Sequence, residues 1–374
     1  MASLSTQSPH LLSKEDSSEN YRIYASFCPR DQLEMSTRLP TWIECYNPSN
    51  NTWNRVSTIP ELSDSHRRKG FSMASIGESV YIIGGRLCRK TPGYEHQDHI
   101  SEVDNDVLSS VLRYNIRTNT WFKCSSLGTP RYDFACSVSN NKIYVAGGKR
   151  TLDSTHGMSS AEVYDPVSDQ WKALPDMNIL RYKCVGVTWQ GNIYIVGGFA
   201  QRRDCDKRVP CYTLERSSAD MYDFKHDRWD LVKGMWQLDV PPNQIVAVDG
   251  KIFSSGDCLY AWKGHIEAYD AKLNIWNVVD GSHMQTIPSP ISRSDATQAS
   301  CPQIQRLYLT MAPIGTYMYL LSGYRMTSDI SRSVSIVHIF DTSAKKGGWR
   351  SLEPLEEEGE KELCSHCCVV RQEP

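Results

Sequence analysis

No run of apolar residues in this 374-residue chain approaches the roughly 18–20 that a membrane-spanning helix needs. The opening Met1-Ala2-Ser3-Leu4-Ser5-Thr6 has neither the basic nor the apolar region of a secretory signal, and Glu15, Asp16 and Glu19 speak against a transit peptide. An excess of one charge sign is also missing. With 41 Lys and Arg against 43 Asp and Glu, the net charge is -2, which gives no bulk attraction to nucleic acid or to an anionic membrane. There is no Gly-rich phosphate loop, no His-Glu-x-x-His and no nucleophile elbow. Cysteine, by contrast, is plentiful. Thirteen residues, an odd number without an export signal, read as reduced and mostly buried thiols of a cytoplasmic and/or nuclear protein.

What is present is an internal repeat. Tyr46-Asn47, Tyr114-Asn115, Tyr164-Asp165, Tyr222-Asp223 and Tyr269-Asp270 each precede a tryptophan, Trp53, Trp121, Trp171, Trp229 and Trp276, at a Tyr-to-Trp distance of seven residues. A sixth copy, Phe340-Asp341…Trp349, is stretched to nine by Lys345-Lys346-Gly347-Gly348. The Asp or Asn is suited to cap a tight turn through its side chain. The Trp is large enough to fill the space between neighbouring sheets. Ahead of each copy stands a β-rich run ending in small residues: Val80–Gly85, Ile143–Gly148 and Ile193–Gly198 end in Gly-Gly, whereas Lys251–Gly256 and Tyr319–Gly323 end in Ser-Gly. Another extended segment precedes each run across a short turn. The unit is therefore four strands, a to d, and its repetition predicts a β-propeller.

The Gly-Gly doublet, the Tyr-Asp pair and the spaced Trp together resemble the kelch repeat, over roughly residues 20–371. The resemblance implies an all-β, six-bladed kelch β-propeller preceded by a disordered tail, residues 1–19. Tyr21–Phe27 supplies a strand b with no strand a before it, and Cys364–Arg371 looks like a strand a with nothing after it. Pairing these N- and C-terminal strands in one blade closes the ring and removes exposed edges.

A second periodicity lies sixteen residues upstream of the first small residue of each doublet. It finds Arg68, Arg131, Arg181 and Arg306, but Asp239 in the fifth unit. The four arginines are expected at one end of the propeller, with Arg86 and Lys149 opening the b–c loops on the same face. Two readings stand side by side. Each Arg ties backbone carbonyls or an acidic neighbour, or together they form a cationic rim that grips an acidic segment of a protein partner. The acidic run Glu353–Glu362 emerges on that face, either solvated or neutralising part of the rim. The long segments 86–106, 200–216 and 281–302 are further places for recognition.

Metal and redox readings were weighed against these. Glu95-His96-Gln97-Asp98-His99 offers donors in a loop, and Cys364-Ser365-His366-Cys367 offers a pair whose second half, Cys205 and Cys211, has no reason to meet it. The iron-binding Glu-x3-Asp-x3-His of plant specifier proteins is matched at Glu102 and Asp106 but not at Ser110. No cofactor and no catalytic residue is expected. The expected function is a kelch protein-interaction module, with a ubiquitin-ligase substrate adaptor as the alternative and a metal-dependent kelch enzyme of the specifier type as the rival class. About twenty residues before the repeats leave no room for a BTB or F-box domain.

Overall fold

The computed structural model describes residues 20–30, 41–60, 62, 66–91, 101–202, 216–238, 240–256, 265–279, 304–327, 331–344 and 348–372. The expected tail 1–19, the Glu95–His99 loop, Asp239, Cys205, Cys211 and all of 281–302 lie outside them. The elements described are β-strands, assembled into antiparallel sheets whose order follows the chain.

From inner to outer strand, the second sheet is Ser72–Ile76, Ser79–Ile83, Val111–Asn115, Thr120–Cys124; the third is Ala135–Ser139, Lys142–Ala146, Ala161–Asp165, Gln170–Leu174; the fourth is Val185–Trp189, Asn192–Val196, Ala219–Asp223, Arg228–Val232. The fifth is Ile245–Val248, Lys251–Ser254, Glu267–Asp270, Ile275–Val278, and the sixth Ile304–Ile314, Tyr317–Thr327, Ser331–Asp341, Trp349–Ser351. The first sheet departs from chain order. It runs Lys361–Arg371, Tyr21–Pro29, Trp42–Asn47, Thr52–Thr58, so the last strand of the chain is its inner member. Tyr21 sits opposite Arg371, and Tyr24 opposite Cys368.

The core lies between sheets rather than within any one of them. Along Val80-Tyr81-Ile82-Ile83, Val80 and Ile82 pack with Tyr24, Ile43 and Cys368 of the first sheet. Tyr81 and Ile83 pack with Ile143 and Val145 of the third. Successive strand residues face opposite ways, so an unbroken apolar run is what a strand buried on both faces requires. The same division separates Ile193 and Ile195 from Tyr194 and Val196. Ile23 and Tyr46 of the first sheet pack with Ala312 and Val337 of the sixth. The inner strands also touch in succession: Ile304–Ile314 packs on Lys361–Arg371, which packs on Ser72–Ile76.

The Tyr-Trp unit closes each outer hairpin. Tyr114, Tyr164 and Tyr269 face Trp121, Trp171 and Trp276 across the c–d pair, with ring centroids 5.1, 5.0 and 5.3 Å apart. Each Tyr hydroxyl donates to the side chain five residues on, as in Tyr114–Asn119 at 2.7 Å and Tyr164–Asp169 at 2.6 Å. Asn119 and Asp169 have positive φ, a conformation that Asn and Asp tolerate better than most side chains. The paired Asp or Asn caps the turn, Asp165 accepting from Val167 N at 2.9 Å and Asp270 from Lys272 N at 2.8 Å. Tyr114 and Tyr164 are the buried members of their pairs. Trp171 is half-buried while Trp229 is buried, and their indole N–H groups reach back to Ser125 O and Pro175 O at the end of the preceding sheet.

Candidate partner-binding face

The two sequence periodicities are halves of one joint. Arg131 sends its guanidinium to Gly147 O at 2.8 Å and Ser160 O at 3.1 Å within its own sheet. Its backbone carbonyl accepts from Gly85 N of the preceding sheet at 2.8 Å. Arg181 repeats this, donating to Gly197 O at 2.9 Å and accepting from Gly148 N at 2.8 Å. A Cβ on Gly84 would sit 2.6 Å from Arg131 O, and one on Gly147 2.7 Å from Arg181 O. The doublet is glycine because the next sheet's arginine carbonyl occupies that space. The constant spacing of sixteen is the length of chain between the guanidinium and the carbonyl it holds.

The exposed arginine rim expected from the sequence is therefore not what the structure places here. Arg68, Arg131 and Arg181 are 2%, 0% and 0% exposed. Arg131 pairs with Glu162 at 2.7 Å and Arg181 with Asp220 at 2.8 Å. Arg68 has Leu112 at the matching register position and bonds Gly84 O and Ser110 O at 2.6 and 2.7 Å instead. Burial lowers the pKa of Arg131, with Glu162 opposing the shift. An arginine that far from water must find bonds inside the molecule, and these do, although Arg131 Nε is left without a partner among the described residues. Arg306 stands opposite Tyr324, half-buried, and burial lowers its pKa while Tyr324 opposes.

Two further members of the series become visible only in space. In the first sheet Ser26 holds the register place of Ala146, and Lys361 stands four before its partner Ser365 as Arg131 stands four before Ala135. In the fifth, counting eight back from the strand-a residue at the a–b turn, as from Ser139 to Arg131, gives Val240. Lys361 pairs with Glu44 at 2.7 Å, and Glu44 holds the register position of Glu162 and Asp220. The rings of Phe27 and Trp53 flank its ammonium at 4.4 and 5.2 Å. The Val240 side chain has no donor to offer. There Gln244 takes over the contact between sheets, its amide donating to Met311 O at 2.9 Å and accepting from Met311 N at 2.7 Å.

Arg86 and Lys149, the other two expected residues, do lie half-exposed at this end. Each rests on an aromatic ring of the next sheet, Arg86 on Tyr132 at 5.0 Å and Lys149 on Tyr182 at 4.3 Å. Tyr182 stacks on Phe199 at 4.9 Å, and Arg216 lies 5.3 Å from the Phe199 ring. An open cleft of about 300 Å³ runs beside this row, lined by Thr155, His156, Gly157, Leu180, Ala200 and the Tyr182, Phe199 and Arg216 side chains. Arg86 also pairs with Asp104 at 2.9 Å and Asp133 at 3.6 Å. Burial pushes the Arg86 pKa down, and Asp133 with Cys88 and Asp104 more than reverses this. Burial raises Asp133 against the pull of Arg86, Lys183 and Lys149.

The acidic run is engaged rather than merely solvated. Glu362 pairs with Arg67 and Lys69 at 3.2 and 3.0 Å, Glu357 with Lys361 at 2.8 Å, Glu360 with Arg325 and Glu356 with Arg332. Leu355–Glu357 adds a short strand to Ser333–Ser335. Segment 86–106 begins and ends as strands, Arg86–Thr91 and Ser101–Val107, that stand with His66–Lys69 as a separate sheet. Among the described residues no cluster of His, Cys, Asp and Glu could hold a metal, and Ser110, the third specifier position, serves Arg68. Cys364 and Cys367 are free thiols. Burial raises Cys367 to about 12.

Two models of the Kelch motif match residues 67–128 and 130–178. The F-box/kelch-repeat protein At1g16250 of Arabidopsis thaliana is 28% identical over 198 residues, 52% of this chain and 46% of that protein. Kelch repeat and BTB domain-containing protein 12 of Danio rerio is 28% identical over 240 residues, 58% of this chain and 35% of that one. The chain thus matches about half or less of these relatives' length. The solved structure of YjhT superposes with a TM-score of 0.54 at 14% identity, covering 88% of this chain and 98% of that one. Antiparallel sheets packed in series with cores between them define a β-propeller protein. Over residues 67–178 the chain carries kelch motifs, and it is similar to kelch-repeat proteins.

Proposed function

We propose that the chain is a six-bladed kelch propeller, closed by Lys361–Arg371 against Tyr21–Pro29, that works as a protein-interaction module. The partner, through an acidic segment, engages the end of the propeller that carries Arg86, Lys149, Tyr132, Tyr182 and Phe199. The observation that carries this reading is the row of half-exposed cations laid on aromatic rings around an open cleft. Aromatic and cationic side chains are the types that dominate interface energetics, and here the buried arginines beneath hold the loops that present them. The four repeat arginines shape the face from inside. Relatives named for F-box and BTB domains favour a second reading, in which the captured partner is a substrate presented to a ubiquitin ligase.

The test is quantitative affinity purification of tagged full-length chain beside Lys149→Glu/Tyr182→Ala and a control, Arg117→Glu. Arg117 is 64% exposed and pairs with Glu78 in a c–d turn at the other end. Partners should be lost from the first variant alone, with both melting as the parent does. Equal recovery from all three would refute the assignment of this face. Ligase subunits among the lost proteins would favour the adaptor reading.

A further inference from the structure

We propose that the stack Lys149–Tyr182–Phe199–Arg216 selects an extended partner segment bearing two carboxylates about four residues apart. This rests on the reading of the face given above and adds a spacing rule to it. The stack is a cation, two rings and a second cation. Its successive steps are 4.3, 4.9 and 5.3 Å, so the two charges stand no more than about 15 Å apart, the rise of roughly four residues of extended chain.

The members are fixed before any ligand arrives. Tyr182 and Phe199 are register partners in the strand pair Ile179–Tyr182 and Phe199–Arg202, and their planes are inclined by only 31°. Arg181, directly before Tyr182, is locked by Asp220 and Gly197. Lys149 is held through its backbone, exchanging hydrogen bonds with Tyr132 at 2.9 and 3.1 Å. Preorganisation of this kind spares the ordering cost of binding.

Charge complementarity points to the same occupant. Several positive side chains elsewhere on this end already have carboxylates: Arg67 and Lys69 share Glu362, Arg325 holds Glu360, Arg332 holds Glu356 and Arg86 holds Asp104. Lys149 has no carboxylate at ion-pair distance among the described residues. Arg216 brings a second cation, its guanidinium, to the cleft lining, against Phe199. Between the two cations, Tyr182, Phe199 and Leu180 line part of the cleft, which gives a side chain midway between the two acids something to pack against.

Two labelled peptides of identical composition provide the test, read by fluorescence anisotropy against the full chain. One carries Glu at the first and fifth positions of its central stretch with Leu at the third. The other carries the two Glu side by side. The spaced peptide should bind at least about tenfold more tightly, a difference of about 1.4 kcal/mol. Lys149→Gln and Arg216→Gln should each bring it to the level of the adjacent-Glu peptide, and Arg117→Gln should change nothing. Equal affinities, or binding of neither peptide, would overturn the spacing rule. If cellular partners are still lost from Lys149→Glu/Tyr182→Ala in that event, the face stands and only the rule falls.

Discussion

The fourth and fifth sheets have the same strand order and the same Tyr-Trp closure, yet they are joined to their neighbours by different chemistry. In the fourth, Arg181 and Asp220, both 0% exposed, tie the sheet's own loops and the preceding linker, where Asp220 also accepts from Asn178 N at 2.9 Å. In the fifth, Glu267 holds the register place of Asp220, but the place of Arg181 falls to Val240 rather than to an arginine, and the uncharged Gln244 clamps the backbone of the sixth sheet. An ion pair is therefore not a requirement of the fold. What every joint needs is that each buried donor and acceptor between sheets be answered. An ion pair with its carbonyl partners is one solution, and an amide clamp is another.

This comparison can be broken or sharpened by substitution. Arg181→Ala leaves Asp220 buried without its cation and should cost the most, about 3–5 kcal/mol in denaturant unfolding. Arg181→Met combined with Asp220→Leu, which removes both charges, should cost less than the single change. If the single change proves harmless, the arginine joint is ornamental. Gln244→Ala should cost about 1–3 kcal/mol, since it strands one donor and one acceptor of Met311. A loss equal to that of Arg181→Ala would erase the distinction between the two joints.

The smallest effect concerns the sixth sheet, where His338 takes the register place of Asp220. Burial lowers His338 from 6.5 to about 4, and does the same for His366 on the last strand. The unfolded chain thus binds protons that the folded one refuses. Stability is at its full value above pH 6.5 and declines toward pH 4. The melting temperature should fall over that interval, and less steeply in His338→Gln/His366→Gln. An identical slope in the two proteins would remove the histidines from the account.

Much of the scaffold is readable without coordinates because its signals are local. A Tyr hydroxyl reaches a residue five positions on, and an Asp caps a turn two positions on, so spacing alone reports them. The arginine series was readable as a spacing but not as a role, because a count fixes the backbone and not whether the side chain turns inward. Counting also fails where its starting residue is displaced. In the fifth sheet Gly256 rather than Ser255 holds the register place of Gly147, which moves the equivalent residue from Asp239 to Val240. Lys361 escaped because its strand b, Tyr21–Pro29, has Ser26-Phe27-Cys28 in place of a glycine doublet. The aromatic row was half visible, since Tyr132 and Tyr182 each directly follow a repeat arginine, but Arg216 reaches Phe199 only through the fold.

The pairing of Tyr21–Pro29 with Lys361–Arg371 has a consequence for biosynthesis. Among the strands described, the ribosome delivers one partner first and the other last. Until Lys361–Arg371 has been made, the inner edge of Tyr21–Pro29 is a bare row of backbone donors and acceptors, open to pairing with another nascent chain. A premature stop that removed only the final strand would take away Lys361 and the Cys364 and Cys368 side chains that pack against Tyr24 and Ile43. Such a product would be left with that edge permanently exposed and should be sent to degradation rather than tolerated as a slightly shortened protein.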